Sequence, residues 1–348
     1  MSTHTRVAQP RRLAFLDTLR ALAVLAVMLA HMLSEVSPSF GQFRFSIFDS
    51  GSFGVTVFFM CSGFIIQPSI EHAPSLRSFW RRRIYRLYPL YWCSVLATAA
   101  VIALGLTRPN PQIAAAAPLI VLANLTMLQN MLGAPHLQII YWSLSFELIF
   151  YLIVTFSVFA KINRYSITIT AGMIGATLIV EVVAPLLGGP KVPLALCGFL
   201  VIMFSGVLFH RAAEGQISTG AALSLAALGL AVNIAAALVD SLMRYSGWWD
   251  NLFLISAWSA SYVVFIGAYA LRDSPLLALP PLQLIGRISY SIYLLHLPIT
   301  LMIPPIGGPI ISVAIWSATT LGVATITFRA IEQPMIRRAR AYDRGAGR

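Results

Sequence analysis

Arg20 and His31 stand eleven residues apart inside one apolar run. Ionisable groups at membrane depth are costly and rare, and by default they mark function. Eleven residues at about 3.6 per turn make close to three full turns, so both side chains project from nearly the same helix face, about 16 Å apart along the axis. That face carries a permanent cation and, further along, an imidazole that exchanges protons near neutral pH. Such a pair suits general acid–base chemistry beside an anionic or carbonyl group.

Other residues join this pair. The run Tyr141-Trp142-Ser143-Leu144-Ser145-Phe146-Glu147 places a carboxylate about 9 Å from its start by helical rise. Glu147 could orient His31 in the manner of a base held by a carboxylate, or it could make only a structural hydrogen bond or ion pair. Glu35, four residues after His31, is a competing partner, and Asp17 could pair with Arg20 three residues on. Five arginines crowd into Arg77–Arg86. Arg83 and Arg86, three apart, share a helix face, and guanidinium forks suit phosphate; the same cluster also serves as a cytoplasmic anchor. Trp142, Ser143 and Ser145, with Tyr290 and His296 from a later run, are candidates for lining a pore or acceptor site, although a histidine beside Pro298 also fits a satisfied core position. Glu332 could pair with a nearby arginine. The small residues between Gly51 and Gly63 fit close helix packing.

These residues must be carried by helices in a membrane. Of 348 residues 58% are hydrophobic and only 10% charged, with mean hydropathy +0.80; a soluble domain carries about 25% charge. The apolar runs are about 20 residues long, too long for barrel strands. The expected fold is all-α and polytopic, one membrane domain over 1–336 with a frayed basic tail over 337–348. The first run is too long for a signal peptide, holds Arg20 and His31, and lacks a clear cleavage site. The net charge of +12 does not point to nucleic acid, because the basic residues collect in loops of one side, where they serve topology and anionic lipid. Cys61, Cys93 and Cys197 are scattered without metal spacing, and no motif suggests a metal or redox cofactor.

Ten spans are expected, at about 13–34, 51–68, 87–106, 141–160, 166–187, 193–210, 218–239, 249–271, 283–303 and 307–329. Nineteen of the 24 Lys and Arg then fall on one side, which places both termini in the cytoplasm and His31, Glu147 and His296 in the outer half. Residues 112–131 are apolar, but they hold Pro118, Asn124, Gln129 and Asn130. Counted as a span they would destroy the charge bias, so a re-entrant or outward-lying helix is expected there.

The chain resembles the acyltransferase-3 family of membrane O-acyltransferases over nearly its whole length. The resemblance rests on Arg20-x10-His31, the Phe53-Gly54 to Ser62-Gly63-Phe64 stretch, Arg83-x-x-Arg86 before Tyr88-Pro89, Trp142-Ser-x-Ser-x-Glu147, Ser289-Tyr-x-Ile-Tyr-Leu-x-His296 and Glu332-x-Pro334. Each is weak singly; six in family order are strong. The resemblance implies a ten-helix core and transfer of an acyl group, usually from acyl-CoA, to a sugar hydroxyl. It implies that His31 is the catalytic histidine, that Arg20 is its companion, and that Arg83 and Arg86 form the arginine pair. Some relatives carry an extracytoplasmic hydrolase-like domain; this chain is similar to the stand-alone form.

The function expected is therefore transfer of an acyl group, acetyl in the first instance, from acyl-CoA, a cosubstrate rather than a bound cofactor, to a sugar hydroxyl of a carbohydrate acceptor. That acceptor is a cell-surface polysaccharide or lipid-linked glycan at the bacterial plasma membrane; a small glycosylated molecule such as a macrolide sugar is the alternative. Direct transfer with His31 as base and a transient acyl-histidine fit the same residues. A transporter or flippase would also carry buried Arg, His and Glu, but the inverted repeats common in transporters are not evident.

Overall fold

A computed structural model describes residues 13–106, 113, 116–189, 195–243 and 251–345. Every described element is helical, as lipid demands of a chain that must satisfy its backbone polar groups internally. Each of the ten expected spans falls on a helix. Among the described residues eight helices are long and apolar enough to cross a membrane: α1 (Ala14–Val36), then, past the short α2 (Pro38–Ser46), α3 (Ser50–Glu71), α4 (Leu76–Ala103), α6 (Tyr141–Phe159), α7 (Asn163–Leu186), α9 (Thr219–Met243), α10 (Leu252–Ala270) and the continuous run Pro309–Asp343. The last divides into α13 (Pro309–Thr327), a π turn at Phe328–Glu332, and α14 (Gln333–Gly345). A ninth crossing is a broken one, α11 (Pro280–Arg287) and α12 (Ser289–Met302), bent by 68°. The fully described part of α8 (Ala195–Ala213), Cys197–Ala213, is a shorter apolar helix. Large apolar side chains such as Phe156, Val263 and Ile310 stand exposed on the outside, which suits lipid rather than water. The protein is a multi-pass, all-α membrane protein.

The doubtful segment at 112–131 does not span. Its helix α5 (Ala117–Leu125) has nine residues, about 13 Å at helical rise, against about 30 Å of hydrocarbon. Residues 112, 114 and 115 lie outside the described residues. The polar groups that argued against a span have specific work. Buried Asn124 donates to the Pro135 carbonyl at 2.9 Å and accepts from the Leu137 amide at 3.1 Å, folding the return loop onto its own helix. Gln129 and Asn130 donate to the carbonyls of Tyr141 and Trp142, at 3.1 Å each, and hold that loop against the start of α6.

α3 is the central helix, packed by α1, α6, α8 and α10. Its glycines make this possible. A Cβ built at Gly63 would lie 1.8 Å from the Met203 carbonyl oxygen, and one at Gly206 would lie 2.1 Å from that of Met60, so α3 and α8 cross backbone to backbone. Gly54 admits α1 in the same way, its Cβ position 2.4 Å from the Ala23 carbonyl oxygen. The expected packing role of the Gly51–Gly63 stretch is met at these crossings.

The described part of the expected frayed tail at 337–348, residues 337–345, is instead a docked helix; 346–348 lie outside the described residues. α14 runs to Gly345 along α4. Asp343 accepts hydrogen bonds from Arg81 and Arg82, and Tyr342 packs against Tyr85 and beneath the Arg81 guanidinium. Ion pairs with α4 supply an order that a basic sequence alone does not suggest. Several cations counted for topology (Arg6, Arg11, Arg12, Arg108, Lys191, Arg244 and Arg348) lie outside the described residues.

Gly63→Val is expected to abolish the α3–α8 crossing, because its Cβ meets rigid backbone. Folded protein recovered by detergent size-exclusion chromatography should fall more than tenfold, whereas Gly267→Ala, where no atom lies within 4 Å of the new Cβ, should leave the yield unchanged.

Candidate active site

A cavity of about 270 Å³ lies among α1, α3, α4, α6, α12 and α14. Arg20 lines it from α1, Arg83 and Arg86 from α4, Glu147 and Ser143 from α6, and Tyr290 from α12. Residues far apart in the chain but singled out by type thus share one wall. Helical spacing explains the local part: Arg83 and Arg86 are three apart, and Glu147 and Tyr151 four apart, so each pair faces the cavity together.

Glu147 is held from two helices. Tyr151 donates to its Oε1, and Ser62 of α3 donates to the same oxygen at 3.3 Å. Arg83 lies across Phe79 and Tyr151, with ring centroids 5.6 and 5.8 Å from its guanidinium carbon, and its Nη2 donates to Ser69 Oγ at 2.5 Å. The buried Arg83 Nε has no partner among the described residues. Arg20 and Arg86 lie within electrostatic reach of each other and of Glu332. Glu332 is fully buried at the end of the π turn, where Ser291 donates to its Oε2 at 3.1 Å. π-bulges occur often at functional sites, and here the turn brings a carboxylate close to two interior arginines. The arginine neighbour anticipated for Glu332 is therefore a pair of cations from α1 and α4, within electrostatic reach and without an ion pair among the described residues.

Two tyrosines of α12 bind it to its neighbours. Tyr290 donates to the Leu87 carbonyl at 2.7 Å, and Tyr293 to that of Ile140 at 3.0 Å while sharing a 2.7 Å bond with Ser143. α12 begins at the 68° break, so Ser289 presents the start of a half-helix to the cavity, and its buried hydroxyl has no partner among the described residues.

The histidines lie beyond the cavity. The rings of His31 and His296 stack with centroids 5.3 Å apart and planes 9° from parallel. His296 Nδ1 faces the carbonyls of Tyr293 at 2.8 Å and Ile292 at 3.2 Å. Carbonyls only accept, so Nδ1 carries the proton and Nε2 keeps its lone pair in the neutral ring. That Nε2, and both ring nitrogens of His31, have no hydrogen-bond partner among the described residues.

The structure corrects three expectations. Glu147 does not orient His31, nor does Glu35, since neither ring nitrogen is bonded and Glu147 is committed to Ser62 and Tyr151. Arg20 and His31 do share a helix face, but only Arg20 lines the cavity; its lining includes Phe58 and Tyr293, whose rings meet edge to face at 6.0 Å, with the Tyr293 ring in turn 6.1 Å from that of His296. Trp142 and Ser145 do not line it either. Trp142 packs among Phe59, Phe146 and Phe199, and Ser145 donates to the Met127 carbonyl at 2.8 Å. Residues not anticipated are Ser62, Ser69, Arg82, Tyr151, Ser289, Tyr293 and Arg340. Ser62, Ser289 and Tyr293 stand inside the motif stretches and Arg82 inside the arginine cluster without having been singled out, and Tyr151 stands four residues from Glu147; Ser69 and Arg340 had no signal. Among the described residues no group of three or more His, Cys, Asp or Glu is placed to hold a metal.

Comparison with known proteins places this architecture. A family profile for an acyltransferase domain matches residues 13–330, so the chain belongs to the acyltransferase-3 family. It is similar to acyltransferase MdmB of Streptomyces mycarofaciens, 33% identical over 160 residues, covering 44% of this chain. The chain spans 40% of the length of that relative. No solved structure matches.

Tyr151→Phe removes one of the two donors to Glu147 and leaves a carboxylate in the bundle interior under-bonded. A loss of about 1–3 kcal/mol is expected, read as a lower melting temperature in detergent. Tyr165→Phe, at an exposed tyrosine, should leave the melting temperature unchanged.

Proposed function

We propose that the protein transfers an acyl group, acetyl in the simplest case, from acyl-CoA to a carbohydrate hydroxyl. The observation that carries this reading is the arrangement of interior cations, Arg20, Arg83 and Arg86, along one cavity also lined by Tyr293, one helical turn before His296, with three ring nitrogens of His31 and His296 unbonded among the described residues. A cavity of cations suits a phosphate-bearing donor, and unbonded imidazole nitrogens suit the proton of an attacking hydroxyl. The family membership agrees with acyl transfer.

In this reading, Arg83 and Arg86 hold the donor phosphates. Arg83 is preset for the task by Ser69 and the two aromatic rings beneath it. Arg20 lies beside Arg86 and meets the donor further along the same wall. The pantetheine arm passes Tyr293 and Phe58, whose rings must part for the thioester to reach His31. His31 then takes the acceptor proton as the hydroxyl oxygen bonds to the thioester carbon. The carbon–sulfur bond breaks, and the proton passes to the departing thiolate. His296, its Nδ1–H held by two carbonyls, fixes the plane against which His31 stacks and offers a second lone pair at Nε2. The charge bias of the sequence supports cytoplasmic termini, a donor entering from the cytoplasm, and an acceptor reached from the far side of a bacterial plasma membrane. A polysaccharide or lipid-linked glycan fits that placement.

The test is release of free CoA from acetyl-CoA by purified protein, with and without a pooled bacterial glycan extract. Glycan-stimulated release is expected. His31→Ala should lower it about 10²- to 10⁴-fold, the usual contribution of a positioned base, with the melting temperature kept. His296→Asn, which keeps a donor near Nδ1 but removes the Nε2 lone pair, should lower the rate less than His31→Ala. Arg83→Ala should raise the KM for the donor about tenfold or more, the worth of a charged hydrogen bond. No release with acetyl or longer acyl-CoA, from folded protein given a broad set of acceptors, would overturn the reading in favour of transport.

A further inference from the structure

We propose that Arg82 and Arg340 form a second anion site at the cavity mouth, and that it takes the ribose 3′-phosphate of the donor, apart from the pyrophosphate held deeper. This deepens the acyl-CoA reading and rests on it.

Both residues line the cavity, and both mark its open end: Arg340 is exposed, and the Arg82 side chain is 36% exposed. The two cations lie within electrostatic reach of each other. Neighbouring like charges disfavour each other's charged form, so a bound anion between them would be stabilised. The carboxylate at hand, Asp343, is already committed. Its Oδ1 accepts from Arg81 and its Oδ2 from Arg82 Nε at 2.5 Å. It therefore fixes Arg82 through Nε, on the edge away from the two terminal amino groups. Arg340 has no hydrogen bond or ion pair among the described residues, although Asp343 lies three residues on, on the same face of α14. Tyr342 and Asp343 anchor that helix to α4, so Arg340 is presented from a fixed support.

The ligand follows from the order of groups in the donor. The thioester must lie toward the histidines, and the pantetheine arm occupies the cavity between. The pyrophosphate then falls at Arg83 and Arg86, and the phosphate monoester on the ribose comes last, at the mouth. A monoester dianion matches two facing guanidinium groups. Arg82 lies within the residues 13–330 that match the family profile, and Arg340 lies beyond them on α14.

The experiment compares kcat/KM for acetyl-CoA with that for 3′-dephospho-acetyl-CoA, in neutral detergent so that no lipid phosphate competes. The wild-type enzyme should prefer acetyl-CoA by about tenfold, the worth of one charge-assisted contact. Arg340→Ala should bring that ratio toward one by lowering kcat/KM for acetyl-CoA. Arg337→Ala, an exposed charge on the same helix that does not line the cavity, should keep the wild-type ratio and so excludes a general effect of lost charge. Equal use of the two donors by the wild-type enzyme, or an unchanged ratio in Arg340→Ala, overturns the site. So does an Arg340→Ala variant that loses only activation by added phosphatidylglycerol, which would make the mouth a lipid-phosphate site. A wild-type enzyme that uses neither donor overturns instead the acyl-CoA reading beneath it.

Discussion

The cost of holding charge inside a helix bundle organises this molecule. A guanidinium in a membrane interior must meet an anion, an aromatic face or a polar cavity, and the interior arginines use all three. Arg83 lies over two rings and bonds a serine. Arg20 and Arg86 face Glu332 across a π turn. Arg81 and Arg82 share Asp343. Apart from Phe79 beneath Arg83 and Asp17 near Arg20 on α1, these supports come from helices other than the arginine's own. The cavity is therefore largely a product of assembly, most of its cations gaining their supports once a neighbouring helix is in place. The same logic keeps the cations poised for a ligand, because no single carboxylate neutralises them all.

Close packing makes that assembly possible. α3 can be approached by α1 and α8 only because glycine stands at each crossing, and these contacts bring the Ser62 side of α3 against Glu147 on α6. The break before Ser289 and the π turn before Gln333 are departures from regular helix. Both lie beside the cavity, where they aim a half-helix start and a buried carboxylate inward. Regular helices would have turned those groups toward lipid or a neighbouring helix.

The histidine pair has a different character from the arginines. It is sparsely bonded, with three ring nitrogens uncommitted and one fixed by carbonyls. Unbonded polar atoms in an interior are expensive, and a cost of that kind is tolerated where chemistry needs it. The aromatic contact of Phe58 with Tyr293 separates this pair from the cations. In the proposed reaction, binding of an anionic head and reaction at an acyl carbonyl would fall on opposite sides of that ring contact.

Much of this was legible beforehand for physical reasons. Apolar runs of membrane length located the helices, eight of them long enough to cross among the described residues and a ninth crossing broken, because lipid permits no other backbone. The rarity of charge at such depth singled out Arg20, His31, Glu147 and His296, and helical spacing alone put Arg83 and Arg86 on one face. What one-dimensional spacing could not reveal was which helices are neighbours. It coupled Glu147 to His31, when the partners of Glu147 stand on α3 and one turn along α6. It left His31 and His296, 265 residues apart in the chain, without sight of each other. It read α14 as a frayed tail, because basic composition shows no anchor until Asp343 meets Arg81 and Arg82. Period and polarity are properties of a single helix and can be read along the chain; the cavity, the stacked imidazoles and the arginine mouth are properties of helix packing, and only the tertiary structure decided them.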